Sequence, residues 1–271
     1  IEQVNAGLLK DITADLDANG GEWRNSMGAL DAFAVDGKNY GVPWDMGAVT
    51  FWYNKDLFAQ AGIEKTPETW SEFLADCEAL KAAGITPISV GEGDKWPGMH
   101  IWAYLVSRIG GAEAFAAAAD MSDARTGSFE DPAFVQAGYE LKKLVDGGYF
   151  QDGFLGATHD DMQAAFGNGK AAMELGGQWS PSVEAANSAD LVGVKNLGMF
   201  NFPAVEGGAG LVTDIVGGGN GFAIGKDAEP EAIDFVKYLT NLDNQKIIAS
   251  DNTGIPVAKG ASEALVDPNM V

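Results

Sequence analysis

The chain has one cysteine, two histidines and no apolar run near the ~20 residues that a helix needs to cross a bilayer. With Cys77 alone, no disulfide can close within the chain, and the pattern Phe73-Leu74-Cys77-Leu80 reads as a helix face packed in the core. His100 and His159 stand apart without ligand spacing, and no Gly-x-Ser-x-Gly elbow is present, so a zinc site and triad chemistry have no support. Basic residues are scarce as well: 17 Lys plus Arg face 39 Asp plus Glu, for a net charge of -22. Such a field repels phosphate backbones and anionic membrane surfaces, which removes nucleic acid from the expected partners. The acids are scattered rather than run together, so their reading is solubility. The start, Ile1-Glu2-Gln3, lacks the basic-then-apolar pattern of a signal peptide, and any export signal is expected outside this chain.

What is present is an ordinary globular composition, 46% hydrophobic and 21% charged, in 271 residues, enough for two lobes. Trp23, Met27, Leu30 and Phe33 follow the Asn19-Gly20-Gly21 break at helical spacing and predict a helix. Ala48 to Tyr53 reads as a buried strand, and Asn54-Lys55-Asp56 leads a short helix that ends at Gly62. Thr69 with Glu72 three residues on has the spacing of a capping box, for a helix running to Ala83-Gly84; Ile85–Val90 is the next strand. Helices are predicted at Pro97–Ile109, Ala112–Ala119, Pro132–Asp146, Thr158–Gly167 and Pro230–Thr240, with strands at Ala171–Leu175, Leu197–Phe202 and Phe222–Ile224. The fold class is α/β.

Three chemical motifs fail on inspection. The glycine run Val216–Gly221 fits no Gly-x-Gly-x-x-Gly register, and Lys170 is followed by alanine, so phosphate cradling has no basis. Asp15-x-Asp17-x-Asn19-Gly20 matches the front of a calcium loop, but Ser26 stands where a bidentate Glu is required, leaving a solvated turn. Asp160-Asp161 at a helix start are dipole partners more readily than a glycosidase pair. What remains unusual is seven tryptophans in an acidic chain. Sugars present apolar C–H faces to aromatic rings and hydroxyls to amides, carboxylates and backbone. Trp52 and Trp70 lie in strong periodic patterns and read as core; Trp44, Trp96 and Trp179 sit at element boundaries, where side chains face clefts more often.

Gly37-Lys38-Asn39-Tyr40-Gly41-Val42-Pro43, Tyr53-Asn54-Lys55-Asp56-Leu57-Phe58 and Thr66-Pro67-Glu68-Thr69-Trp70 together resemble the sugar-binding class of extracellular solute-binding proteins, the maltose-binding-protein-like receptors of bacterial ABC importers. The resemblance continues in order through Phe166-x-x-Gly169-Lys170-Ala171-Ala172-Met173, Gly176-Gly177-Gln178-Trp179, Phe202-Pro203, Gly217–Ile224 and Phe235-x-Lys237-Tyr238-Leu239. It implies two α/β lobes joined by crossing segments, with the ligand in the cleft between them. The crossings are expected near Pro43–Gly47, Val216–Gly219 and Gly254–Pro256, giving one lobe from 1–44 plus 218–253 and another from 45–217 plus 254–271. The resemblance also implies truncation at both ends: a first lobe that begins after its opening strands and a second that stops before its last helices.

By position in the matching motifs, Trp179 is the expected stacking platform, with Gly177 and Gln178 in its turn and core packing as the alternative. Trp44 and Asp45 are expected at the first crossing, one facing ligand and the other packing behind. Trp96 is expected to meet the sugar with His100 one turn on, although a surface role for His100 remains open. Gly218, Gly219 and Asn220 are expected to bring backbone and amide groups close to ligand. The implied function is capture of a mono- or oligosaccharide by lobe closure and delivery to the permease of an ABC importer. The protein is then extracytoplasmic, periplasmic or lipid-anchored, and monomeric, with no catalytic residue, metal or cofactor. The alternatives are a carbohydrate-active enzyme and a binding protein for another solute such as a polyamine.

Overall fold

Strands form where β-branched and aromatic residues run without a breaker, and the longest, Asp45–Asn54, does so through Val49-Thr50-Phe51-Trp52-Tyr53. In the computed structural model, which describes residues 2–120, 125–188, 196–251 and 253–266, this strand passes from one compact unit into a second. The first unit comprises Ile1–Ala48 and Gly217–Val271, and the second Val49–Val216.

In the second unit Val49–Asn54 lies antiparallel between Leu197–Phe200 and Ala171–Gly177, and Thr86–Ser89 adds parallel to the latter. Alternate side chains leave a strand on opposite faces, so Phe51 and Trp52 enter different layers. Phe51 packs on Phe73 and Phe200, with ring centroids 4.9 and 5.1 Å apart, in the main core beside Trp70, Phe202 and Tyr104. Cys77 is buried in that core, as its pattern predicts. Trp52 packs with Phe166 and Leu197 on the other face. The Thr69–Glu72 capping box is present at the start of Trp70–Ala82, and Thr158 with Asp161 forms a second one ahead of His159–Gly167. Both satisfy backbone donors that a helix start leaves free; Asp160 and Asp161 stand in the first turn, where dipole partners are expected, and Asp161 in addition closes the second box. The irregular stretch after Phe202 is held by the fully buried Arg108, whose guanidinium donates to the carbonyls of Phe202, Val212 and Asp214 at 2.9–3.2 Å.

The first unit has a smaller core of Ile12, Leu16, Met27, Leu30, Val42, Ile224, Ile233 and Val236. Gly41–Pro43 pairs antiparallel with Gly221–Ala223, and the opening residues of the long strand pair with Gly217–Gly218 on one side and Ile255–Pro256 on the other. Two expectations change here. The helix predicted across Trp23–Phe33 stops at Asn25; Ala29 takes φ +59, and Leu30–Phe33 is a separate 3-10 turn. The cause is tertiary: Gly28 N–H donates to the Val257 carbonyl at 2.9 Å, and Met27 bridges Ala258. That same contact places 254–266 in the first unit, not with the second lobe. Gln245 Oε1 accepts from the Val257 and Ala258 amides at 2.8 and 3.2 Å, so Gly254–Pro256 is no crossing. The part of the expectation that falls on 267–271 lies outside the described residues. The chain changes unit at Ala48/Val49, just past the expected crossing Pro43–Gly47, and at Val216/Gly217, inside the expected crossing Val216–Gly219.

Candidate functional site

In the second unit the loop after strand Thr86–Ser89 is stitched to the segment before helix His159–Gly167. Val90 N–H donates to Gln151 Oε1 at 2.9 Å, Gly93 N–H to the Ala157 carbonyl at 2.8 Å, and His159 N–H to Asp94 Oδ2 at 2.7 Å. Gly91 is required because a Cβ there would overlap the Thr158 carbonyl oxygen. Lys95 then turns through φ +69, and Pro97 in its first turn opens helix Trp96–Gly110, with Glu92 tucked against Gly98. The outcome is that Trp96 lies 4.5 Å from His159 and 5.3 Å from His100, ring centre to ring centre.

Trp179 reaches the same cluster from strand Ala171–Gly177, which is buried along its whole length. The Trp179 ring folds back over Gly177, where a Cβ would stand within 2.5 Å of ring carbons. The Gly177 carbonyl accepts from the indole of Trp52 at 3.2 Å, Gln178 is buried, and Pro181 starts helix Ser180–Asn187. Trp179 stands 6.3 Å from Trp96 and 6.4 Å from His159, edge to face in both cases. All four rings are half-buried.

The rings of the cluster are neutral, with the carboxylates of Asp94 and Asp160 standing beside His159. Burial holds the pKa of His159 below the ordinary imidazole value, and burial together with neighbouring His159 does the same for His100. A neutral imidazole offers one donor and one acceptor. His100 Nδ1, His159 Nε2 and the Trp179 indole nitrogen have no hydrogen-bond partner among the described residues. The two tryptophan rings can stack on an apolar face, while the three uncommitted nitrogens are buried beside them.

The first unit has a face of its own. Asp45, 6% exposed, accepts from the Asn220 amide at 2.7 Å and from its side-chain nitrogen at 3.1 and 3.2 Å. Trp44 N–H donates to the Asn220 carbonyl at 2.7 Å, and Gln245 Nε2 to the Trp44 carbonyl at 2.9 Å. The side chains of Asp45 and Asn220 are thus spent on each other and fix the glycine turn, while Trp44, half-buried, meets Phe222 edge-on at 5.2 Å. Gly218 and Gly219 are exposed in this unit; a Cβ at Gly219 would overlap the Asp45 carbonyl oxygen.

Residues 2–246 match the model of the bacterial extracellular solute-binding protein family. The chain belongs to that family. It is 32% identical over 240 residues to the multiple sugar-binding protein of Streptococcus mutans, an alignment covering 85% of this chain and 54% of the relative. The chain therefore spans about half the length of that curated relative. Among solved structures, it matches one from work on xylan utilization by the thermophilic bacterium Caldanaerobius polysaccharolyticus at TM-score 0.88 and 30% identity, covering 98% of this chain and 67% of the other. A chitin oligosaccharide binding protein matches at TM-score 0.84 and 33% identity, covering 96% of this chain and 64% of the other. The multiple sugar-binding protein and the chitin oligosaccharide binding protein are binding proteins by name, and the chain shares the two-lobe α/β fold of solute-binding protein structures. Among the described residues no helix is long and apolar enough to cross a membrane, and no group of three His, Cys, Asp or Glu could hold a metal ion.

Sequence reasoning brought Trp96, His100 and Trp179 to one place but missed His159, which joins them. No local signal marks it: its ring meets Trp96 across 63 positions of sequence, through the tie between Asp94 and the His159 amide. Glu174 and Glu184, fully buried in the elements on either side of the Trp179 turn, were missed too.

Proposed function

We propose that this chain is the larger part of an extracytoplasmic receptor that captures a mono- or oligosaccharide and hands it to the permease of an ABC importer, acting as a monomer and without catalysis. The observation that carries the reading is the uncharged ring cluster of Trp96, Trp179, His100 and His159 in a protein of net charge -22. A neutral polyol suits such a patch; a polyamine would seek carboxylates. Trp179 is the stacking floor, Trp96 its flank, and the two imidazoles reach hydroxyls. On the first unit, Trp44 and the backbone at Gly218 and Gly219 are the proposed ligand-facing groups, with Asp45 and Asn220 holding them in place. Gly177 gives the Trp179 ring its seat, and Gln178 packs beneath. The names of the relatives, a multiple sugar-binding protein and a chitin oligosaccharide binding protein, support a carbohydrate. Placement in the periplasm or on a lipid anchor at the outer face of the membrane accords with the family's extracellular character.

Calorimetric titration against an oligosaccharide library, followed by analysis of the recovered sugars, tests the reading. Saturable heat with unchanged saccharides is expected, and new reducing ends would turn it toward a carbohydrate-active enzyme. Affinity should hardly move as salt is raised past 0.15 M, where the Debye length is ~8 Å. A steep loss with salt would transfer the assignment to a cationic solute.

A further inference from the structure

The elements on either side of the Trp179 turn each carry a carboxyl with no exposed surface, Glu174 in strand Ala171–Gly177 and Glu184 in helix Ser180–Asn187. Ser180 Oγ donates to Glu174 Oε1 at 2.6 Å, and Gln163 Nε2 donates to that hydroxyl at 3.4 Å. Glu174 Oε2 and both Glu184 oxygens have no donor among the described residues. Leaving three carboxylate oxygens buried without donors is costly, and two ionised carboxylates cannot donate to each other. A proton on one acid lets that carboxyl donate to its neighbour, which satisfies two of the three oxygens and removes the repulsion between two charges.

Of the neighbouring groups, the buried Ser89 hydroxyl is itself without a partner and can serve Glu174, whereas among the described residues no donor reaches Glu184. Across the sheet Glu174 is flanked by Trp52, whose indole is committed to the Gly177 carbonyl, and by Ser89 of the neighbouring strand. Helix His159–Gly167 contributes Gln163 and, against the Glu184 backbone, Gly167. The charge that acts on Glu184 is Glu174 itself, and among the described residues no cation acts on either acid.

Position gives the pair a role. Ser180 directly follows Trp179, and a Cβ at Gly176 would overlap its hydroxyl, so the strand and helix are clamped on both sides of the Trp179 turn. We propose that Glu174 and Glu184 retain a shared proton throughout neutral pH and serve as positioning residues for Trp179. The second half of this inference rests on the reading of Trp179 as the sugar platform. Burial, with the adjacent Glu174 charge, pushes Glu184 up to about 12, and burial pushes Glu174 in the same direction.

Denaturant unfolding of the wild type and Glu184→Gln between pH 5 and 9 tests the proton. The amide supplies a permanent donor, so the folding equilibrium of the variant should gain on the wild type by roughly tenfold per pH unit, one proton's worth. A ratio that stays constant with pH overturns the shared proton. Acrylamide quenching of Trp179, isolated by difference against Trp179→Phe, tests the positioning at pH 7. Glu184→Gln should match the wild type, while Glu184→Ala, which removes the donor proposed for Glu174 Oε2, should quench severalfold more. Equal quenching in all three makes the pair merely structural and overturns its positioning role. Xylotriose and chitotriose titrated into each protein provide a separate reading: affinity should follow the quenching order. If neither sugar binds any variant while the unfolding and quenching results stand, the sugar assignment falls and the proton-sharing pair remains.

Discussion

Replacing Trp179 with alanine separates a binding platform from a packing residue. In the proposed site the ring is the floor under a sugar, and its loss removes contact worth ~1.5–3 kcal/mol on the scale for burying a large apolar side chain. At 1.4 kcal/mol per factor of ten, affinity for the captured saccharide should fall by roughly ten- to more than a hundredfold. The effect on folding should be small by comparison. Trp179 is half-buried, its indole nitrogen has no partner among the described residues, and its ring leans on Gly177 rather than the aromatic core. Trp52 is the internal control: it is 1% exposed and its indole donates to the Gly177 carbonyl. Truncating such a residue costs ~3–5 kcal/mol of folding stability. Calorimetric titration and thermal melting on Trp179→Ala and Trp52→Ala give both quantities. Retained affinity with a melting-point fall as large as that of Trp52→Ala would refute the platform and make Trp179 part of the core.

Gly177→Ala tests the same ring without touching its chemistry: the added methyl would overlap ring carbons of Trp179, so the ring must move, and affinity should fall by about tenfold or more with a change in the near-UV circular dichroism. Unchanged affinity would place the ligand elsewhere. The two histidines predict a pH trend opposite to that of Glu184. Their folded pKa values lie below the ordinary imidazole value of 6.5, so the unfolded chain binds more protons just beneath that pH. Their contribution is complete above 6.5 and is lost as pH falls below it. In a Glu184→Gln background Asp76, which burial pushes up to about 6, and Glu174 still act in the opposite direction, so the prediction is a difference: adding His100→Asn with His159→Asn should make the melting temperature at pH 5 higher, relative to pH 7, than it is in the background alone. An unchanged difference between the two pH values contradicts the buried neutral pair.

The elements that were legible in the sequence are those whose signal is local. Pro132–Asp146 is read to the residue because proline opens it and glycine follows it, and the Thr69–Glu72 box is visible in the spacing of two side chains. Ala48–Tyr53 shows as a run of β-formers, and the structure extends it only to Asp45–Asn54. The helix expected over Trp23–Phe33 had equally good spacing, yet pairing of Gly28 with Val257, 229 positions away, interrupts it. Periodicity cannot register a hydrogen bond whose partner lies at the other end of the chain.

The same distinction runs through the candidate site. Trp96 and Trp179 announce themselves by type and by their place at element boundaries, because an aromatic beside a turn has few ways to be covered. His159 looks solitary in sequence, since what gives it meaning is the tie between Asp94 and its own amide, which carries the ring against Trp96. Glu174 interrupts an otherwise apolar strand, Ala-Ala-Met-Glu-Leu, and that interruption is the one trace the buried pair leaves. A lone acid in a strand buried on both faces requires either a cation or a proton. Recognising that no cation reaches it requires the layer behind the sheet, where Gln163, Ser180 and Glu184 stand together. The tryptophans proposed to touch ligand are thus visible one residue at a time, whereas His159 and the groups that hold the site in place acquire their roles only through partners that the fold supplies.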